Sequence, residues 1–99
     1  MIRRIVKLSF KPENILAFQQ IFAESKDKIV NMPGCHSVDL LHCTEPSNIF
    51  FTFSIWDSEA DLNAYRHSEL FQKTWARTKV LFNDRPQAWS TQLEDGATG

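Results

Sequence analysis

Eight consecutive residues, Ile49–Trp56 (IFFTFSIW), are nearly continuous in large side chains. Such a run suits a central strand buried on both faces. A chain carrying it must supply cover for two sides of a sheet. Asp57-Ser58 ends the run, and Ser58 is placed to cap a following helix. Asp61, three residues on, completes a weaker form of the capping box.

The rest of the chain falls into place around this strand. In Ile2–Phe10, residues Val6, Leu8 and Phe10 share one face and Ile5, Lys7 and Ser9 the other, a period-two strand. Lys11-Pro12-Glu13 turns into a helix, with Pro tolerated in the first turn and Glu favoured there by the dipole. Ile15, Phe18, Phe22, Ser25 and Ile29 form its apolar stripe, and Asn31-Met32-Pro33-Gly34 stops it. Cys35–Cys43 is predicted as the second strand, with His36, Val38, Leu40 and His42 on one face. A hairpin loop at 44–48 leads into the apolar run. After Ser58 the apolar phase shifts near His67-Ser68, and Ser68 can cap a second helical segment carrying Phe71, Trp75, Thr78 and Phe82. Gln87–Leu93 is predicted as the last strand, with Trp89 and Leu93 on one face. Glu94–Gly99 is a polar tail, so residues 1–95 form the domain and 96–99 its flexible end.

The order β-α-β-β-α-β with right-handed crossovers gives an α+β, ferredoxin-like fold. Its four-stranded antiparallel sheet has both helical segments on one face, and the first and third strands pair in the centre. The other sheet face is then bare. Because the third strand is apolar on both sides, that face is expected to meet another sheet in a homodimer. Ninety-nine residues make one domain, and the 8 Phe and 3 Trp are plentiful for it. A partner chain would bury some of those rings.

A net charge of −1 without a basic stripe argues against nucleic acid as a partner. No apolar run reaches membrane-spanning length, and MIRRIVKLSF is too short for a signal-peptide core, so a cytoplasmic location is expected. Cys35 and Cys43, on one strand, lie about 26 Å apart and cannot bridge. His36 and His42 are separated by about 20 Å and cannot share an ion. His67 sits on a helix without HExxH-type spacing. No metal site is expected. There is no GxSxG, GxGxxG or Walker pattern.

What remains is a set of rings: Tyr65, Phe71 and Trp75 from the second helical region, with Trp56 and Trp89 near it. Packed core is one reading of them. A ligand cleft, with the Tyr65 hydroxyl, His67 and Arg4 or Arg85 as its polar groups, is the other.

On three stretches the chain resembles the antibiotic biosynthesis monooxygenase (ABM) family of dimeric α/β-barrel proteins. These are Pro33-Gly34-Cys35, the strand ending in Trp56-Asp57, and Ala64-Tyr65-Arg66-His67-Ser68-Glu69-Leu70-Phe71. The resemblance spans about residues 2–93. Members include cofactor-independent quinol or polyphenol oxygenases, haem-degrading enzymes and proteins of no known substrate. The axial His of the haem-degrading branch falls at Trp75, its helix-two Trp at Tyr65, and its strand-one Asn near Arg4. The quinol-oxygenase branch often has His where Tyr65 stands.

The resemblance implies a monooxygenase acting on a quinol, phenol or related small aromatic without metal, haem or flavin, the substrate's own anion reducing O₂. His67 or Tyr65 would transfer the proton, Trp56, Phe71, Trp75 and Trp89 would wall the site, and Arg4 would line it. The alternative is a non-catalytic dimeric ligand-binding or stress-related module. A pocket of at least about 300 Å³ reaching Tyr65 and His67 would separate the two.

Overall fold

The apolar run is the spine of the sheet. In the computed structural model, which describes residues 1–99, β3 (Ile49–Trp56) lies between β1 (Ile2–Ser9) and β2 (Cys35–His42). β4 (Gln87–Thr91) pairs with the outer side of β1. The strand order is β2-β3-β1-β4 and every pair is antiparallel. The helices are α1 (Ile15–Val30), α2 (Glu59–Arg66) and α3 (Glu69–Lys79). This is the ferredoxin-like α+β arrangement expected from the sequence. No helix is long and apolar enough to cross a membrane.

Alternation decides which side chains meet the helices. Ile2, Leu8, Phe10, Phe50 and Trp56, all at even positions, are buried with Phe18, Ile29 and Leu62 from the helices in two clusters. Trp56 anchors one, with Ile2, Ile29 and Leu62. Phe10, Phe18 and Phe50 build the other with Leu8. Phe10 stacks on Phe18 at 4.2 Å and meets Phe50 edge-on at 5.9 Å. The odd positions Ile5, Phe51, Phe53 and Ile55 face away from all three helices and stay half-buried.

Three local features differ from the sequence reading. Pro12–Asn14 forms a 3₁₀ turn, and the α-helix proper starts at Ile15. β2 has a register shift between Cys35 and Ser37. Cys35 and Val38 both pack against the Trp56 cluster, which strict alternation forbids and the bulge permits. His36 therefore leaves the Val38–Leu40–His42 face and bonds the Asp57 carboxylate through Nε2 at 2.5 Å. β4 ends at Thr91, opposite Arg3, where β1 has almost run out, and Leu93 is exposed.

The helix ends follow their caps. Gly34, at φ +81°, makes the turn out of α1, and its carbonyl accepts from the Asp57 amide at 2.8 Å. Ser58 Oγ accepts from the Asp61 amide at 3.2 Å and so starts α2. Ser68 Oγ accepts from the Phe71 amide at 3.1 Å and donates to the Tyr65 carbonyl at 2.6 Å. One hydroxyl thus ends α2 and begins α3, at the break the sequence signals.

Candidate functional site

The two core clusters leave a gap between them because the middle of the sheet carries small side chains. On the helix-facing side, Val6, Thr52, Ser54 and Ala88 occupy the centre, while Phe10, Phe50 and Trp56 crowd the ends. The helices span the gap and do not fill it. The result is a cavity of ≈ 380 Å³, within the size range of small-molecule sites.

Aromatic rings form one wall. Tyr65 stacks on Trp56 with centroids 5.1 Å apart. Phe71 meets Tyr65 edge-on at 5.2 Å and lies parallel to Trp75 at 5.9 Å. Trp75 leans on Phe82 at 5.5 Å. Trp56 is fully buried, and its Nε1 donates to Ser54 Oγ at 2.9 Å, which holds the ring that Tyr65 rests on. α1 supplies the opposite wall with Phe18, Ile21 and Phe22.

Several of the polar groups are already engaged. Ser25 Oγ donates to the Ile21 carbonyl at 2.7 Å and Thr78 Oγ1 to the Thr74 carbonyl at 2.8 Å, each within its own helix. Arg4 donates through Nη1 to Ser90 Oγ at 3.0 Å. The Tyr65 hydroxyl has no hydrogen-bond partner in the chain and is not sealed from solvent. Burial, reinforced by the negative charge that the nearby Cys35 sulfur carries when ionised, pushes the Tyr65 pKa up to about 12. Its phenol is therefore a proton donor at neutral pH and not a base. Desolvation, and then the charge of Arg66, hold the Arg4 guanidinium pKa below its ordinary value, with Glu59 opposing.

The structure brings Arg4, Trp56, Tyr65, Phe71 and Trp75 to one cavity. It does not bring His67 or Trp89 there. His67 caps the end of α2, exposed, with Nδ1 2.7 Å from the Asn63 carbonyl. The helix turns its ring outward at the break, so the cavity reaches Tyr65 but not His67. Trp89 pairs with Ile5 on the sheet face opposite the helices, while its neighbour Ala88 pairs with Val6 and lines the cavity. Arg85 and Lys7 border a smaller polar recess away from the rings.

Arg66 is the lining residue the sequence reading missed. Its only signal was its place beside Tyr65 on α2. None of the three histidines lines the cavity, so none is placed to ligate a haem iron there; Trp75, at the position of the axial ligand, packs against Phe71 and Phe82. No group of three or more His, Cys, Asp or Glu side chains converges anywhere in the chain.

The sequence model of the family described as antibiotic biosynthesis monooxygenase matches residues 1–77. A search of curated proteins finds no match. Among solved structures, an antibiotic biosynthesis monooxygenase superposes with a TM-score of 0.89 at 19% identity, covering 96% of this chain and 100% of that one. Rv0793 from Mycobacterium tuberculosis gives 0.88 at 18% identity, covering 98% of each chain. A protein from Methanosarcina mazei Go1 gives 0.88 at 18% identity, covering 92% of this chain and 90% of that one. At these identities the likeness is one of fold.

Proposed function

The chain belongs to the antibiotic biosynthesis monooxygenase family, and from that premise we propose that it oxygenates a small electron-rich phenol or quinol in the cavity beneath α2 and α3. The observation that carries this reading is the cavity itself. It has the volume of a two- or three-ring ligand site, aromatic walls, one free phenol and two cations.

Each group has a role in that chemistry. The rings of Phe71 and Trp75 stack on a planar substrate and keep water from it, while Trp56 backs Tyr65 from below. Arg4 and Arg66 favour its phenolate, because a neighbouring positive charge stabilises the ionised form. The substrate proton leaves to solvent, since no carboxylate or imidazole lines the cavity. The phenolate gives electrons to O₂, and a C–O bond forms at a ring carbon bearing hydrogen. Loss of that hydrogen as a proton and cleavage of the O–O bond then give a quinone and water. One oxygen atom enters the product, the other becomes water, and the substrate supplies all four electrons. Tyr65, protonated at neutral pH, donates a hydrogen bond to the developing peroxide.

The same lack of a base favours a second reading, a non-catalytic binding module. Oxygen uptake across a panel of naphthols and quinols separates the two. The oxygenase reading expects one O₂ consumed per quinone formed, with turnover lowered ~10²-fold or more in Tyr65→Phe and unchanged in His67→Ala. Binding without uptake across the panel would establish the module instead.

We further propose that the helix-free sheet face closes a homodimer, placing two cavities in one particle, and that two free thiols and the absence of a membrane-crossing helix fit a cytoplasmic protein.

A further inference from the structure

The charges around the cavity do not balance. Arg4 projects from the centre of β1 and Arg66 from the last turn of α2, and both line the same space. Neither forms an ion pair. The only direct partner of either is a neutral hydroxyl, Ser90 Oγ on Arg4. No Asp or Glu lines the cavity, and the remaining polar lining groups are hydroxyls and the indole N–H groups of Trp56 and Trp75. Glu59, two turns before Arg66 on α2, is the one carboxylate that acts on Arg4, and Arg66 outweighs it.

Two guanidinium groups beside an apolar cavity repel each other, and the half-buried Arg4 loses part of its hydration. Such an arrangement is favourable when an anion completes it. A transient phenolate supplies that anion only after the substrate has ionised. A carboxylate, ionised throughout the physiological range, supplies it from the moment of binding. Guanidinium also matches carboxylate geometry with two parallel N–H donors.

We infer that the cavity takes an aromatic ligand bearing a permanent carboxylate, which Arg4 and Arg66 hold while the ring system lies along Phe71 and Trp75. This rests on reading the cavity as a ligand site but not on its being catalytic. The phenol-bearing ring then extends toward Tyr65, so the carboxylate fixes which ring carbon O₂ meets. Arg66, exposed at the end of α2, is the outer of the two cations, and Arg4, half-buried, the inner.

The test is isothermal titration calorimetry under anaerobic conditions, which removes turnover from the measurement. The probes are 6-hydroxy-2-naphthoate, its methyl ester and 2-naphthol. The inference expects the acid to bind at least ten-fold more tightly than the ester, with affinity falling as salt rises. Arg66→Gln should erase most of that preference and Arg66→Lys should retain part of it. Arg4→Gln should act in the same direction, and Arg66→Gln covers the case in which Arg4→Gln disturbs the sheet. Equal binding of acid and ester overturns the carboxylate assignment while leaving the cavity a ligand site. Failure of all three probes to bind overturns both.

Discussion

Tyr65 is the only tyrosine in the chain, so its ionisation can be followed without interference. Phenolate absorbance near 295 nm should rise with a midpoint near 12, against the ordinary value of about 10. The sign of the stability effect follows. A phenol whose folded pKa lies above its unfolded one contributes stability that is full below pH ~10 and is lost as the pH rises through about 12. The loss is on the order of 2–3 kcal/mol. Tyr65→Phe should remove this alkaline component while leaving the neutral-pH melting temperature nearly unchanged, because the Trp56 and Phe71 contacts are made by the ring. A midpoint near 10 would mean that the ring is not buried against Trp56. Gly34 gives a second residue-scale outcome. A Cβ there would lie 2.3 Å from Asp61 Oδ2 and 2.7 Å from Asp61 Cβ, on a backbone at φ +81°. Gly34→Ala should therefore destabilise the fold by about 1–3 kcal/mol in chemical denaturation. At this scale the site was half legible. Residue type singled out the rings and Arg4. It did not show direction: Trp89 looks like a wall residue until its pairing with Ile5 puts it on the far face. His67 looks like a base until the helix break points its ring to solvent.

Elements were more legible than side chains, because strands and caps are local. The apolar run sets β3 to the residue, and the phase shift at His67-Ser68 locates the break between α2 and α3. What stayed hidden was the bulge in β2. Nothing in Cys35-His36-Ser37 signals it, since it arises from the competition of Cys35 and Val38 for the same packed face. The cavity was hidden for a similar reason. It comes from four small side chains on three different strands lying side by side, which only the register reveals. Ser68 ties the elements to the site, because its hydroxyl holds the turn between the helix that carries Tyr65 and the helix that carries Phe71 and Trp75. Ser68→Ala should cost about 1 kcal/mol by the usual worth of an N-cap. It should also weaken ligand binding beyond that of a Ser58→Ala control, whose cap lies at the other end of α2. Equal effects of the two substitutions on binding would show that the break is merely a chain reversal.

For the whole molecule, the unanswered physical demand is the second face of the sheet. Ile5, Phe51, Phe53 and Ile55 sit together there, with Trp89 46% and Leu41 53% exposed at its edges. The molecule is correspondingly flat, 36 × 35 × 21 Å, one layer of helices on one layer of sheet. A monomer rarely leaves so continuous an apolar surface in water. Packing the face against its own copy would bury both patches and should remove well over about 1,000 Å², the area expected of a stable interface. Charge agrees, because Arg3, Lys7 and Asp39 share the face and include both signs. Sedimentation at micromolar concentration should therefore return twice the 11.5 kDa chain mass. Phe53→Lys is the discriminating variant. Phe53 lies mid-strand between Ile5 and Asp39, so a lysine there keeps its own chain folded, with Asp39 opposite to pair with it, while placing charge at the centre of the proposed contact. The variant should sediment as a monomer with unchanged far-ultraviolet circular dichroism. Its cavity lies on the other side of the sheet, so binding of an aromatic ligand should survive if each chain holds a complete site, and should fall if the dimer braces β1 and Arg4. Sedimentation of the unsubstituted protein as a monomer would overturn the dimer and leave the bare face to another partner.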